Sequence, residues 1–329
     1  MRAAVLEPNA RALTIAERPT PQPAAGELLL RVRACGVCRT DLHIIDGDLP
    51  PHRRPLIPGH QIVGEVAGGA TSERPLGMWV GVSWIAFADG TCPYCRRGTE
   101  NLCDAIRFTG YDVDGGYAQY AVARADFTYP LPDALDDTHA APLLCAGIIG
   151  FRSLRVAGVQ RGERVGLYGF GASAHLMVPV LQAWECEVYV ATRGASHRDF
   201  ARSLGAVWVG DATERPPVAL DRAVTFAPAG DVVVAALGSL RKGGIVAINA
   251  IHLDRIPQFD YDTLLWGERQ LRSVANMTRD DAIAFLALAA QIGLHPRATS
   301  FSLDEAADAL AAIRGDAVDG AAVIIPPSA

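Results

Sequence analysis

Nine consecutive residues, Cys35-Gly36-Val37-Cys38-Arg39-Thr40-Asp41-Leu42-His43, hold two thiols, a guanidinium, a hydroxyl, a carboxylate and an imidazole. Thiolates and imidazoles are the ligands that zinc prefers, and a hydroxyl followed by an imidazole can pass a proton. Cys38 is therefore expected to be the first ligand of a catalytic zinc, with Thr40 and His43 carrying protons away from whatever the metal holds. Cys35 and Cys38 also spell C-x-x-C, the spacing of a redox dithiol. The βαβ setting of such pairs is missing, so Cys35 reads as a neighbouring buried thiol.

A second cluster, Asp89-Gly90-Thr91-Cys92-Pro93-Tyr94-Cys95 followed by Cys103, reads D-x-x-C-x-x-C-x7-C. Three thiolates and a carboxylate at these gaps can surround a tetrahedral zinc, and the short gaps let backbone amides point at the sulfurs. Asp89 has a plainer reading beside this one, as the first residue of an Asp-Gly turn.

A third group, Gly169-Phe170-Gly171-Ala172-Ser173-Ala174, follows a strand-like run and precedes a helical one. This is G-x-G-x-x-A in its dinucleotide-binding setting. The glycines let backbone approach a pyrophosphate, and the helix start supplies N–H donors. About 20 residues on, an NAD site would show an acidic side chain; this chain has Thr192-Arg193-Gly194-Ala195-Ser196-His197-Arg198. Thr192, Arg193 and Arg198 suit a 2′-phosphate, because guanidinium pairs with phosphate by charge-assisted bonds. NADP is expected over NAD, with a solvated basic loop as the bland alternative.

These groups need elements to hold them. Residues 27–34, 61–67, 78–84 and 117–123 are short β-type runs separated by Pro and Gly, which suggests a barrel-like β domain. The proline-rich stretches 19–23 and 50–58 read as loops. Beyond residue 136 the texture changes. Residues 137–156 read as a helix interrupted by Pro142, 173–184 as a helix, and 164–168, 187–191, 207–210, 222–226, 244–249 and 271–275 as strands. Such alternation implies an α/β unit with a parallel sheet between helices. The tail reads as helix 278–293, helix 302–314 and strand 321–325.

The whole chain has 329 residues, half of them hydrophobic and a fifth charged, which fits two globular domains. The net charge of −6, with scattered basic residues, is not the footprint of a nucleic-acid binder. No apolar run approaches the roughly 18 residues of a membrane span. The partner expected is a small molecule. Seven cysteines and a start without a signal-peptide pattern point to reduced thiols and a cytoplasmic location. His175 reads as a helix-surface residue and Cys186 as structural.

Taken together, the chain resembles the zinc-dependent medium-chain alcohol dehydrogenases over essentially its whole length. Cys38-Arg39-Thr40-Asp41-Leu42-His43 matches that family's first ligand motif, Gly59-His60-Gln61-Ile62-Val63-Gly64 its G-H-E-x-x-G segment, and Ala141-Pro142-Leu143-Leu144-Cys145-Ala146-Gly147 its third. The resemblance implies a GroES-like β-barrel-type catalytic domain of residues 1–147, completed by 276–329, and a doubly wound Rossmann domain of residues 148–275. It implies that Cys38, His60 and Cys145 hold the catalytic zinc, and Asp89, Cys92, Cys95 and Cys103 a structural one. Asp41 would orient His60, Arg39 would reach the cofactor pyrophosphate, and Ile248 would lie beside the cofactor. Trp84 would wall the substrate pocket, with Leu56 and Ile57 adding to its apolar character. A homodimer or homotetramer is implied as well.

Three positions depart from the family pattern. Gln61 replaces a glutamate beside the histidine ligand, Asp89 replaces a cysteine, and Asp319-Gly320-Ala321 stands where Gly-Arg is usual. Two other readings stand beside the zinc enzyme: a zinc-free quinone or enone reductase of the same fold, and a regulatory protein that binds the cofactor without turnover.

Overall fold

The computed structural model describes residues 1–50, 52–135, 137–318 and 320–328. The backbone divides into two units, Met1–Ala146 with Asn276–Ala329, and Gly147–Ala275. Asp319, one of the departures above, lies outside the described residues.

The first unit is organised around one strand, Glu27–Val37. Its burial alternates up to Ala34, as one face against a core requires, and from Ala34 to Val37 every residue is buried. It pairs antiparallel with Gln61–Gly68 along its length, with Tyr120–Arg124 near its start and with Ala321–Ile325 at its end. Register shifts between Leu29 and Leu30 and between Val32 and Ala34 mark bulges, which bend a strand. The sheet continues through Trp79–Val82 to Thr128–Pro130 at one edge and to Ala298–Ser302 at the other. Leu28, Leu30, Val32, Ile62 and Val66 pack into one core beneath it. The strand expected over 78–84 stops at Val82, so Trp84 falls outside it, where its carbonyl accepts the Thr109 N–H at 2.8 Å.

A helix not anticipated from the sequence, Arg39–Asp46, follows the central strand at once. Cys38 is its N-cap in extended geometry, and the Asp41 carboxylate accepts the Cys38 N–H at 2.8 Å. That cap satisfies one of the donors a helix start leaves open. The N–H of Gly47 closes the other end on His43 O. Eight residues give little periodicity to read, which is why the helix escapes sequence analysis.

The second unit is an all-parallel sheet in the order Trp208–Gly210, Glu187–Ala191, Arg164–Tyr168, Leu220–Thr225, Leu240–Ile248, Gln270–Ser273. Helices Ile148–Ala157, Ala172–Ala183, Ala195–Ser203 and Gly230–Gly238 connect or flank these strands. The order reverses direction between Arg164–Tyr168 and Leu220–Thr225, the switch point at which doubly wound sheets bind ligands. Tyr168 stands in register with Ala191 on one side and Thr225 on the other, and Thr225 with Ile248. These carboxyl ends therefore form one row. The expected α/β fold class is borne out.

By length and composition the helix Thr138–Ala157 could cross a membrane, with a mean hydropathy of 1.4 in a window that is 72% buried. Arg152 and Arg155 interrupt its apolar runs in sequence, whereas the average over the helix stays high. Core helices of this kind pass the same test. Its path is Asp137–Pro142 as α-helix, Leu143–Gly147 as a π turn and Ile148–Ala157 as α-helix. Pro142 has no N–H to donate, and the wider turn follows directly.

Candidate active site

Three elements of the first unit bring Cys38, His60 and Cys145 together. Cys38 sits where the central strand meets its helix, His60 immediately before the Gln61–Gly68 strand, and Cys145 at the middle of the π turn. A sulfur from each cysteine and a ring nitrogen of His60 all lie within 4.8 Å of one another. Nδ1 of His60 is 3.2 Å from Asp41 Oδ1, while its Nε2 is buried with no hydrogen-bond partner among the described residues. An orphaned buried nitrogen beside two sulfurs is costly as it stands. A zinc ion, which takes this donor set, would satisfy it.

The electrostatics suit a cation. A hydrogen bond from Cys145, working against burial and aided by His60, holds the Cys38 thiol well below its ordinary range. Cys145 is the donor of that pair, and Cys38 together with burial pushes it up. Burial alone would lower the His60 imidazole, but Asp41 and Cys38 outweigh it and hold it up at about 10. Asp41 is itself fully buried. It accepts from the Cys38 N–H and from the Tyr117 hydroxyl, the latter at 2.9 Å. Burial pushes the Tyr117 phenol well above its usual value, so it remains a donor.

Thr40 is buried, with its Oγ1 3.6 Å from Cys38 Sγ. His43 lies one turn further along the same helix, the spacing of side-chain neighbours. It is 34% exposed and stands 3.0 Å from Asp48. Buried hydroxyl and half-exposed imidazole therefore follow each other outward. Arg39, expected at a pyrophosphate, is in an exposed ion pair with Asp316. Such pairs hold little energy. Gln61 is buried against Gly36, where a Cβ would meet its side chain at 2.9 Å.

Trp84 meets His60 edge-on, ring centroids 4.8 Å apart, and stacks on Phe108 at 4.8 Å. Tyr111 stands 6.0 Å from Trp84. Phe108 and Tyr111 carry no motif in the sequence, and Tyr117 stands out there only as the start of the 117–123 run. Leu56 and Ile57 are buried in the core.

The second cluster also assembles, with donor atoms of Asp89, Cys92, Cys95 and Cys103 within 4.8 Å of one another. Asp89 forms the turn as well: its Oδ1 accepts the N–H of Thr91 at 2.7 Å and of Cys92 at 2.8 Å. These two bonds hold its carboxyl well below the usual range. Cys92 Sγ accepts the Cys95 N–H at 3.4 Å, and Cys103 Sγ that of Asp89 at 3.5 Å. Amides aimed at sulfur favour thiolates, the form that binds metal.

In the second unit the glycine turn lies at the switch point. Gly169 has φ +89°, and a Cβ there would come within 2.8 Å of the Ala227 nitrogen. Gly171 caps the Ala172–Ala183 helix, and a Cβ there would meet nothing within 4 Å. That open cradle, at a helix start carrying Ala172 and Ser173, fits a pyrophosphate. His175 corrects the surface reading: it is buried, its Nδ1 3.2 Å from Gly171 O and its ring 5.6 Å from Phe200. The helix is buried from Ala174 to Val178, so its first turns offer His175 no open face. Cys186 is buried, its thiol donating to Gln160 O at 3.3 Å.

At the end of Glu187–Ala191, Thr192 is buried and its carbonyl accepts from Arg198 at 3.3 Å. Arg198 also lies 3.8 Å from Asp211. Arg193 is exposed, and among the described residues it has neither an ion pair nor a hydrogen bond from its side chain. It stands two residues before the Ala195–Ser203 helix. Ile248 closes the Leu240–Ile248 strand in the same row of carboxyl ends.

A bent antiparallel unit with a Cys/His/Cys cluster, carried in one chain with a doubly wound parallel unit, is the build of the medium-chain dehydrogenases. The profile of the alcohol dehydrogenase GroES-like domain matches residues 24–133. The chain is 49% identical to the probable alcohol dehydrogenase AdhA of Mycobacterium tuberculosis (strain CDC 1551 / Oshkosh) over 312 residues, 93% of this chain and 90% of that one. In fold it resembles a cinnamyl alcohol dehydrogenase of Sorghum bicolor, with a TM-score of 0.90 at 24% identity over 98% of this chain and 97% of the other. A cobalt- and zinc-bound thermostable alcohol dehydrogenase from Pyrobaculum aerophilum gives a TM-score of 0.87 at 25% identity, over 99% of each chain. The chain belongs to the medium-chain alcohol dehydrogenase family.

Proposed function

We propose that the protein is a zinc-dependent alcohol dehydrogenase that moves a hydride between NADP(H) and an alcohol, aldehyde or ketone. The observation that carries this reading is the buried, unpartnered Nε2 of His60 beside Cys38 and Cys145. These three residues would hold the catalytic zinc, and Asp89, Cys92, Cys95 and Cys103 a structural one. When bound, the catalytic zinc supplies Lewis acidity, which polarises a substrate oxygen and makes a hydroxyl more acidic.

A bound nicotinamide would supply the hydride acceptor for alcohol oxidation, which leaves the hydroxyl proton for this chain's own residues to remove. Thr40, buried beside Cys38, accepts that proton, and His43, open to solvent at 34%, receives it from Thr40. Asp41 orients His60. Trp84, stacked on Phe108, forms the apolar wall. Gln61 puts a neutral amide where the family pattern has a carboxylate, which would leave a bound zinc more electrophilic.

Gly169, Gly171, Ala172 and Ser173 would receive the pyrophosphate, Arg39 would exchange Asp316 for it, and Ile248 would border the nicotinamide half. For the 2′-phosphate, exposed Arg193 is the free group, because Arg198 is engaged with Thr192 and Asp211. Self-association belongs to the reading too: Gln270–Ser273 is an edge strand, with Trp266, four residues before it, 63% exposed.

The test is steady-state kinetics on a panel of primary and secondary alcohols with NADP and NAD, for the wild type and Arg193→Ala. NADP should be preferred. The substitution should lower kcat/KM for NADP by about tenfold or more, the scale of one lost charge-assisted contact, and leave NAD nearly unchanged. A wild type that prefers NAD and ignores the substitution would refute the assignment of Arg193. Absence of turnover with every alcohol and carbonyl offered would refute the enzyme reading.

A further inference from the structure

Tyr117 is fully buried, and its hydroxyl has one hydrogen-bond partner in the site, Asp41 Oδ2 at 2.9 Å. The same oxygen accepts the Cys38 N–H at 2.8 Å, and the other oxygen faces His60 Nδ1 at 3.2 Å. Three groups thus fix the position and tilt of one carboxylate. That carboxylate selects which nitrogen of His60 carries the proton. With Nδ1–H donated to Asp41, the lone pair of Nε2 is left for a cation.

Backbone places the phenol. Gly115, Gly116 and Tyr117 donate their N–H groups to the carbonyls of Ile57, Gly59 and Pro58 at 2.7, 2.8 and 3.1 Å. The segment is strapped to the residues just before His60. Gly59 has φ +93°, and a Cβ there would come within 2.4 Å of the Tyr117 ring. The ring occupies the space that only glycine leaves. Tyr117 is therefore fixed to one ligand-bearing stretch through its backbone and to the other, Cys38 to Asp41, through its hydroxyl.

The geometry points to Tyr117 as a positioning residue for the catalytic zinc: its hydroxyl locks Asp41 and, through it, the tautomer and aim of His60. This inference rests on the zinc reading of the Cys38, His60 and Cys145 site. Tyr117→Phe removes one oxygen and keeps the ring that fills the space beside Gly59. The measurement is zinc release to a competing chelator from the purified full-length protein, wild type and variant, resolved by site. The absorption spectrum of each after cobalt substitution accompanies it.

In Tyr117→Phe the Cys38 site should lose zinc about tenfold faster, the low end for outer partners of metal ligands, and its cobalt bands should shift. The Cys92, Cys95 and Cys103 site should release metal at the wild-type rate, which serves as the control on folding. Wild-type release and an unchanged spectrum would overturn the inference. Equal acceleration at both sites would overturn it as well, since Tyr117 would then act on the fold as a whole. Wild-type protein that holds no metal at the Cys38 site would instead sink the zinc reading on which the inference depends.

Discussion

Replacing His60 by alanine is expected to empty the Cys38 and Cys145 site of zinc and to lower kcat/KM for alcohol oxidation by at least about a thousandfold. Lewis-acid stabilisation is worth several kcal/mol, and each 1.4 kcal/mol is about a factor of ten. His60 supplies the one nitrogen of the three-residue donor set, and two sulfurs alone leave a tetrahedral ion half bound. The substitution has a second cost, because the buried Asp41 loses its imidazole partner. It keeps the Cys38 N–H and the Tyr117 hydroxyl, so the fold should persist with a lower melting temperature. Zinc content, thermal unfolding and steady-state kinetics on one preparation separate the two effects. A folded His60→Ala protein that turns over alcohol at the wild-type rate would contradict the assignment.

The second large effect concerns Gly171. A Cβ there meets no atom within 4 Å, and the backbone at φ −116°, ψ −155° is extended and suits a branched residue such as valine. Thermal stability should therefore be unchanged. The side chain would fill the cradle assigned to the pyrophosphate, and the KM for the nucleotide should rise by about a hundredfold, the scale of a displacement near 1 Å. Gly169→Ala offers the contrast. Its φ of +89° and the 2.8 Å approach to Ala227 make any side chain there strained, at about 1–3 kcal/mol. It should lower the melting temperature as well as affinity. If Gly171→Val binds nucleotide like the wild type, the cofactor does not lie against this turn.

How much of this was legible in the sequence depends on the distance over which each feature is determined. The glycine turn and the strands around it are local: a buried run, two glycines and a helix start within a dozen residues, and the structure places them so. Cys38, His60 and Cys145 were nameable from their motifs, although His60 and Cys145 lie 22 and 107 residues beyond Cys38. What brings them within 4.8 Å is strand pairing and a π turn that leaves no pattern in the sequence. Asp41 was visible as a carboxylate near a ligand. Its second duty as the cap of a helix was hidden because that helix has eight residues. Tyr117 was invisible in this respect, since its role arises from a contact 76 positions away. His175 was misjudged because helix periodicity fails where a helix is buried on nearly every side.

The most direct test is the metal content of the wild-type protein, purified without chelators, alongside its activity as zinc is withdrawn and restored. Two zinc ions per chain are expected, one at Cys38, His60 and Cys145 and one at Asp89, Cys92, Cys95 and Cys103, with alcohol oxidation falling and returning with the first. Protein that contains no zinc and still oxidises alcohols at full rate would contradict the zinc-dependent mechanism.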